Sequence, residues 1–113
     1  MRKKPDPRAT SAGHDLLAGF VRLHILHHAS KEPIIGYWII EELGRHGYTL
    51  SPGTVYPMLR AMEARGLLRS AAKRAGGRAW REYRATTAGR KALEGAKAKL
   101  RELFQELIEE EQH

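Results

Sequence analysis

The sequence predicts a mainly α-helical domain that carries one small β-hairpin wing, and three observations predict it. Apolar residues recur at three- and four-residue steps in several separate stretches. Gly and Pro punctuate the gaps between the early stretches. Two short stretches flank a basic loop built on Gly76-Gly77, the pattern of a two-stranded hairpin. At 113 residues the chain suits one domain and leaves no room for two well-buried ones.

Met1 to Gly13 holds two Pro, four basic residues and no apolar periodicity, so residues 1–13 are expected to form a flexible basic arm. From His14 to Ala29 the residues Leu16, Leu17, Phe20, Val21, Leu23 and Ile25 recur with helical spacing. That predicts a first helix, stopped before Pro33, with Leu17, Phe20 and Val21 as its clearest stripe. Tyr37 to Gly47 reads as a short second helix, with Ile39, Ile40 and Leu43 on one side and Glu41, Glu42 and Arg45 on the other. Gly47 falls just past its end.

Ser51-Pro52-Gly53-Thr54 is a helix start: a hydroxyl to cap free amides, then Pro where a missing N–H costs nothing. The third helix is expected from Pro52 to Arg65, stopping at Gly66. Its apolar side is Val55, Leu59 and Met62, with Met58 alongside; Gly53, Tyr56, Pro57, Arg60 and Ala64 lie on or near the opposite side. Pro57 is tolerable near the first turn and would kink the helix deeper in. Two such helices joined by a turn of about four residues match a helix-turn-helix unit. Leu67 to Ala72 and Trp80 to Ala85 then predict two short strands around Lys73, Arg74, Gly76, Gly77 and Arg78. Thr86-Thr87-Ala88-Gly89 opens the last helix, along which Leu93, Ala96, Leu100, Leu103 and Leu107 repeat over two heptads, flanked by Phe104 and Ile108. Such a seam exposed to water needs a partner. The expected division is therefore residues 14–85 as the binding domain and residues 86–113 as a C-terminal dimerisation helix.

The charge is unevenly placed. The chain carries +7 with histidines neutral; residues 1–91 hold 17 basic and 7 acidic groups, whereas residues 92–113 hold 3 and 6. A basic body with an acidic end implies an anionic polymer or surface as partner, with one segment withheld from it. Across residues 69–84, Arg69, Lys73, Arg74, Arg78, Arg81 and Arg84 oppose only Glu82. The absence of Cys excludes disulfides, thiolate nucleophiles and Cys-based metal sites. No window approaches a membrane span, and the basic start runs into Pro, Asp, Thr, Ser and Gly rather than an apolar signal region, so a cytoplasmic, soluble protein is expected.

Catalysis is not expected. Asp6, Asp15 and Glu32 form no paired-carboxylate spacing, no Gly-x-Ser-x-Gly elbow occurs, and Gly76-Gly77 is too short for a nucleotide-binding loop. His24, His27 and His28 stand at i, i+3 and i+4, a spacing that can chelate a divalent ion. With no Cys and no HExxH motif, surface or dimer-interface positions are the preferred reading, and neither metal nor cofactor is expected.

The order of elements is that of a winged helix-turn-helix protein with a C-terminal dimerisation helix. Gly36-Tyr37 through Ile40 and Leu43, then Leu50-Ser51-Pro52-Gly53-Thr54-Val55-Tyr56-Pro57-Met58-Leu59, then Met62-Glu63 with Gly66-Leu67-Leu68, resembles the core of the PadR family of bacterial transcriptional regulators. Gly77-Arg78, Tyr83-Arg84, Thr86 and Gly89 are similar to that family's wing and helix junction. Glu82 and Ala85 depart from it, standing where an aromatic and a larger aliphatic residue are usual. A single C-terminal helix resembles the family's short subgroup.

The resemblance implies a dimer in which the first and last helices of both chains interlock, contributed here by Leu17, Phe20, Val21, Leu93, Ala96, Leu100, Leu103, Phe104 and Leu107. It implies double-stranded DNA as partner, with Ser51, Pro52, Gly53, Thr54, Tyr56, Pro57 and Arg60 at the major groove and Lys73, Arg74, Arg78 and Arg81 on the backbone. Arg60 is the candidate for a base or phosphate contact, and Tyr56 and Ser51 are candidates for phosphate contacts. Some family members bind flat hydrophobic ligands through aromatic residues, which makes Trp38 a candidate effector contact. The expected function is a homodimeric repressor on a pseudo-palindromic promoter site, released by a small hydrophobic or aromatic effector. The rivals are a sequence-tolerant DNA-architectural protein and an adaptor that pairs through its C-terminal helix.

Overall fold

Four helices and a three-stranded antiparallel sheet follow one another in a computed structural model that describes residues 7–110, with side chains described from Asp15 onward. The order is α1 (Pro7–Lys31), β1 (Ile34–Ile35), α2 (Gly36–Arg45), α3 (Pro52–Ala64), β2 (Leu68–Ala75), β3 (Arg78–Ala85) and α4 (Thr87–Phe104), extended by a π-helical turn over Gln105–Glu109. The sheet order is β1-β3-β2. This is a winged helix-turn-helix with a long C-terminal helix. Among the described residues no helix is long and apolar enough to cross a membrane.

Each helix buries the apolar stripe that its spacing supplies. Val21, Ile25, Leu26 and Ala29 of α1 meet Ile39 and Leu43 of α2 and Val55, Leu59 and Met62 of α3, and the sheet closes this core with Ile34, Leu68, Tyr83 and Ala85. Leu93 of α4 completes it. Burial of a side chain of this size stabilises by about 1.5–3 kcal/mol, so this shared core is what holds the short elements in place.

Helix ends follow the punctuation. The amides of Gly66 and Leu67 donate to the carbonyls of Glu63 and Met62, and those of Gly47 and Tyr48 to Gly44 and Leu43. Both are double-bonded C-terminal caps that need a left-handed residue, and Gly47 and Gly66 have φ of 90° and 80°. Thr86 caps α4 as expected: its hydroxyl oxygen accepts from the Gly89 amide at 2.9 Å, while its O–H donates to the Gly66 carbonyl. Arg90 donates to the Ser30 carbonyl at 2.7 Å and ties α4 to the end of α1.

The structure departs from the sequence expectations in several places. The first helix begins at Pro7 rather than His14, so residues 7–13 of the expected arm are helical; residues 1–6 lie outside the described residues. Ser51 starts α3 with its backbone and not its hydroxyl. Its carbonyl accepts from Thr54 and Val55 at 3.0 Å, and its Oγ lies 3.4 Å from Thr54 Oγ1. The turn between α2 and α3 spans residues 46–51, longer than expected. Pro57 sits within an unbroken α3.

The strands run to Ala75 and from Arg78, leaving only Gly76-Gly77 as the turn. Both glycines have positive φ, 56° and 78°, and a two-residue turn of that kind matches the twist of a hairpin, so pairing continues to the tip. Strand β1 was not expected: two residues show no period, and they are held by pairing Ile34 with Tyr83 and Ile35 with Glu82.

Candidate nucleic-acid interface

The α3 surface opposite the core carries Gly53, Pro57, Arg60 and Ala64 at three- and four-residue steps, all exposed. Ser51, Pro52, Thr54 and Tyr56 flank this stripe and are exposed too. Gly53 and Pro57 keep it low, which leaves Arg60 to stand clear. Gly36 at the start of α2 permits a close approach: a Cβ there would overlap the ring of Tyr56. The ring is thereby laid against the helix-turn-helix while 38% of the residue stays exposed.

Alternation along the hairpin divides its charges between two faces. Leu68, Ser70, Tyr83 and Ala85 face the core, so Arg74 and Arg81 extend that same face beyond it toward α3. Arg69, Lys73, Arg78 and Arg84 belong to the outer face, where Arg69 and Arg84 stand directly opposite one another. Trp80 shares that outer face, and its indole N–H donates to Glu82 at 3.3 Å.

Between α3, the start of α2 and the wing lies an open groove of about 1190 Å³. Its lining includes Arg60, Lys73, Arg74, Arg78 and Arg81 with Tyr37, Tyr56 and Trp80, and no acidic residue. The groove thus brings together Tyr56, Arg60 and the four wing residues expected from sequence. Ser51, Pro52, Gly53, Thr54 and Pro57 do not line it. Thr54 and Pro57 border instead a second hollow of about 280 Å³ with Arg22 and Arg65. Tyr37, Trp80, Arg22 and Arg65 were not singled out from sequence as contacts, since their proximity depends on how α1, α2 and the wing pack around α3.

The apolar seam divides as well. Leu17 and Phe20 on α1, Leu100, Leu103 and Phe104 on α4 and Leu107 on the π-helical turn are exposed, joined by Leu16 and Ile108, and Ala96 is partly buried. Val21 and Leu93 are corrections to the expected set. At 2% and 6% exposure they are spent within the chain's own core. Past Phe104 the wider π-helical turn shifts Leu107 and Ile108 around the axis relative to a regular heptad.

Trp38 is 37% exposed on α2, with its ring edge-on to His28 at 5.2 Å between centroids. Glu42 accepts from His46 at 3.2 Å and from Arg45 at 3.4 Å, and lies 4.0 Å from His28. His24 packs its ring on His46 and Tyr48. Burial lowers the pKa of His24, His27 and His28, with neighbouring cationic groups adding to the effect. Among the described residues no group of three or more potential ligands is arranged to hold a metal ion.

Comparison with known proteins agrees with this architecture. Residues 25–95 match the transcriptional regulator PadR-like family. The chain is 52% identical over 93 residues to the transcriptional regulator Rv3488 of Mycobacterium tuberculosis, covering 82% of this chain and 87% of that one. Crystal structures of a PadR family transcriptional regulator from Eggerthella lenta (TM-score 0.76, 28% identity, 88% of each chain) and a PadR-like regulator from Bacillus cereus (TM-score 0.77, 28% identity, 88% of this chain and 98% of that one) share its fold. A family match across the whole helix-turn-helix and wing, joined to a relative identical at about half of the aligned positions, means that this chain belongs to the PadR-like family of transcriptional regulators and not to an enzyme family.

Proposed function

We propose that the protein is a homodimeric, sequence-specific DNA-binding repressor. The observation that carries this reading is the groove itself: five cationic residues from α3, β2 and β3 line it and no acid does. A helix of this size fits the major groove, and a basic hairpin beside it meets the phosphate backbone. Residues 14–85 then form the DNA-binding domain and residues 86–113 the dimerisation helix, with Leu17, Phe20, Leu100, Leu103, Phe104 and Leu107 between the two chains. Repression is steric: the dimer lies across a pseudo-palindromic promoter site, with recognition helices in successive major grooves about 34 Å apart. A regulator of this kind acts where a bacterial chromosome lies, in the cytoplasm.

Release by a small hydrophobic or aromatic effector is part of the proposal, with the half-exposed indole of Trp38 as its contact. An effector loosens the DNA complex only to the degree that it prefers a different arrangement of the two wings. Selection of bound duplexes from a random pool tests the DNA reading. The expected outcome is a two-fold symmetric motif with half-sites about one helical turn apart. An affinity ratio near unity against random DNA would instead favour an architectural protein, and a stable complex with a different chain an adaptor. Aromatic ligands that dissociate the selected complex from the wild type but not from Trp38→Ala support the effector contact.

A further inference from the structure

The recognition helix and the wing are joined by a polar chain, of which Arg81 lines the groove and Ser70 and Glu63 do not. Glu63 lies on α3 one turn after Arg60, partly buried against the sheet. The Ser70 amide donates to Glu63 Oε2 at 2.8 Å, and the Ser70 hydroxyl lies 2.7 and 2.9 Å from the two carboxylate oxygens. Arg81 Nη1 donates to Ser70 Oγ at 3.1 Å. Ser70 has one hydroxyl proton, so once that proton goes to the carboxylate its lone pairs are left to Arg81. The direction of the chain is therefore fixed, from Arg81 through Ser70 to Glu63. These bonds hold the Glu63 carboxyl below its ordinary pKa, with the Arg81 charge contributing.

We propose that Glu63 is a positioning residue for DNA recognition, which through Ser70 sets the wing against the recognition helix and aims Arg81 into the groove. The role rests on the DNA-binding reading above. An arginine has five donors, and the Ser70 contact uses one, so the remainder stay free for an anionic ligand. A hairpin tied to α3 only by apolar contacts at its root can swing, and Arg60 and Arg81 then lose their common frame. A guanidinium held in advance loses less freedom when it binds than one that must be ordered on arrival.

A double-mutant cycle separates this role from a merely structural one. Ser70→Ala removes the hydroxyl bridge and keeps the backbone bond to Glu63; Glu63→Gln removes the charge and keeps the shape. Dissociation constants are measured for the operator selected by the wild type and for random duplex, with melting temperatures alongside. Each variant is expected to weaken operator binding about tenfold and random-duplex binding less than about threefold, since an unaimed Arg81 still neutralises phosphate. In an Arg81→Ala background, Ser70→Ala is expected to add less than about twofold, and Ser70→Thr in the normal background to retain tight binding. Equal losses with and without Arg81, or a lower melting temperature with unchanged dissociation constants, overturn the role. A wild-type protein that binds neither duplex overturns the DNA reading and this role together, which the wild-type control makes distinguishable.

Discussion

Arg60 was legible in the sequence because helical spacing alone puts it on the side of α3 opposite Val55, Leu59 and Met62. Glu63 was not, because its partner Ser70 lies beyond the helix end in a strand whose register spacing does not fix. Val21 and Leu93 mark the same boundary from the other side. Periodicity identifies an apolar face but not whether the chain's own core or a second chain takes it up. If Arg60 reads a base, Arg60→Ala costs about 1–3 kcal/mol per half-site of the selected operator and relaxes preference at one position of each. Lys73→Ala is expected to weaken all sequences alike and to reduce the salt slope by about two, one for each protomer of the dimer, and competition binding against single-base operator variants checks both. Gly36→Ala forces a methyl into the Tyr56 ring, an overpacking that is expected to destabilise by about 1–3 kcal/mol. Thermal unfolding measures it, and an unchanged midpoint would mean that the ring moves aside without cost.

Every helix and the hairpin could be anticipated from local chemistry, because caps, Pro and Gly act within a few residues of themselves. What escaped were β1, which exists only through its pairing with β3, the start of α1 at Pro7 and the π-helical turn after Phe104, which no residue pattern marks. The packing of α1 on α2 adds a pH dependence of its own. His24 and His28 face His46, Glu42, Trp38 and Tyr48 across that contact, and His27 lies near Lys31 and Lys97. Burial lowers the pKa of all three, so below the ordinary imidazole value near 6.5 the unfolded chain binds protons that the folded chain resists. Their contribution is complete above that value and is lost as pH falls from it through the lowered folded-state values. Glu63, with its lowered pKa, acts in the same direction at lower pH, since protonating it releases the Ser70 contacts. The melting temperature is expected to be lower at pH 5.5 than at pH 7.5, and more nearly equal once His24 and His28 are both replaced by Gln. Equal midpoints in the wild type would remove this account of the α1–α2 contact.

For the whole molecule, the uneven charge becomes a division of surface. Cationic residues of α3 and the wing line one groove, while the acidic end of the chain, with Glu102, Glu106, Glu109 and Glu110, accompanies the exposed leucines of α4. Like-signed DNA is thus kept from the seam proposed for dimerisation. Leu100→Glu or Phe104→Glu places a charge in that seam without touching the core. Sedimentation of either variant at micromolar concentration is expected to show a monomer where the wild type is a dimer, and operator affinity falls because only one half-site is held at a time. A wild-type monomer would leave those side chains without the partner they imply. Neutralisation of DNA phosphates by the basic groove is tested most directly by the salt dependence of operator affinity. With about six to eight phosphates contacted per dimer, the logarithm of affinity is expected to fall against the logarithm of salt with a slope of about −5 to −7. A slope near zero would contradict it.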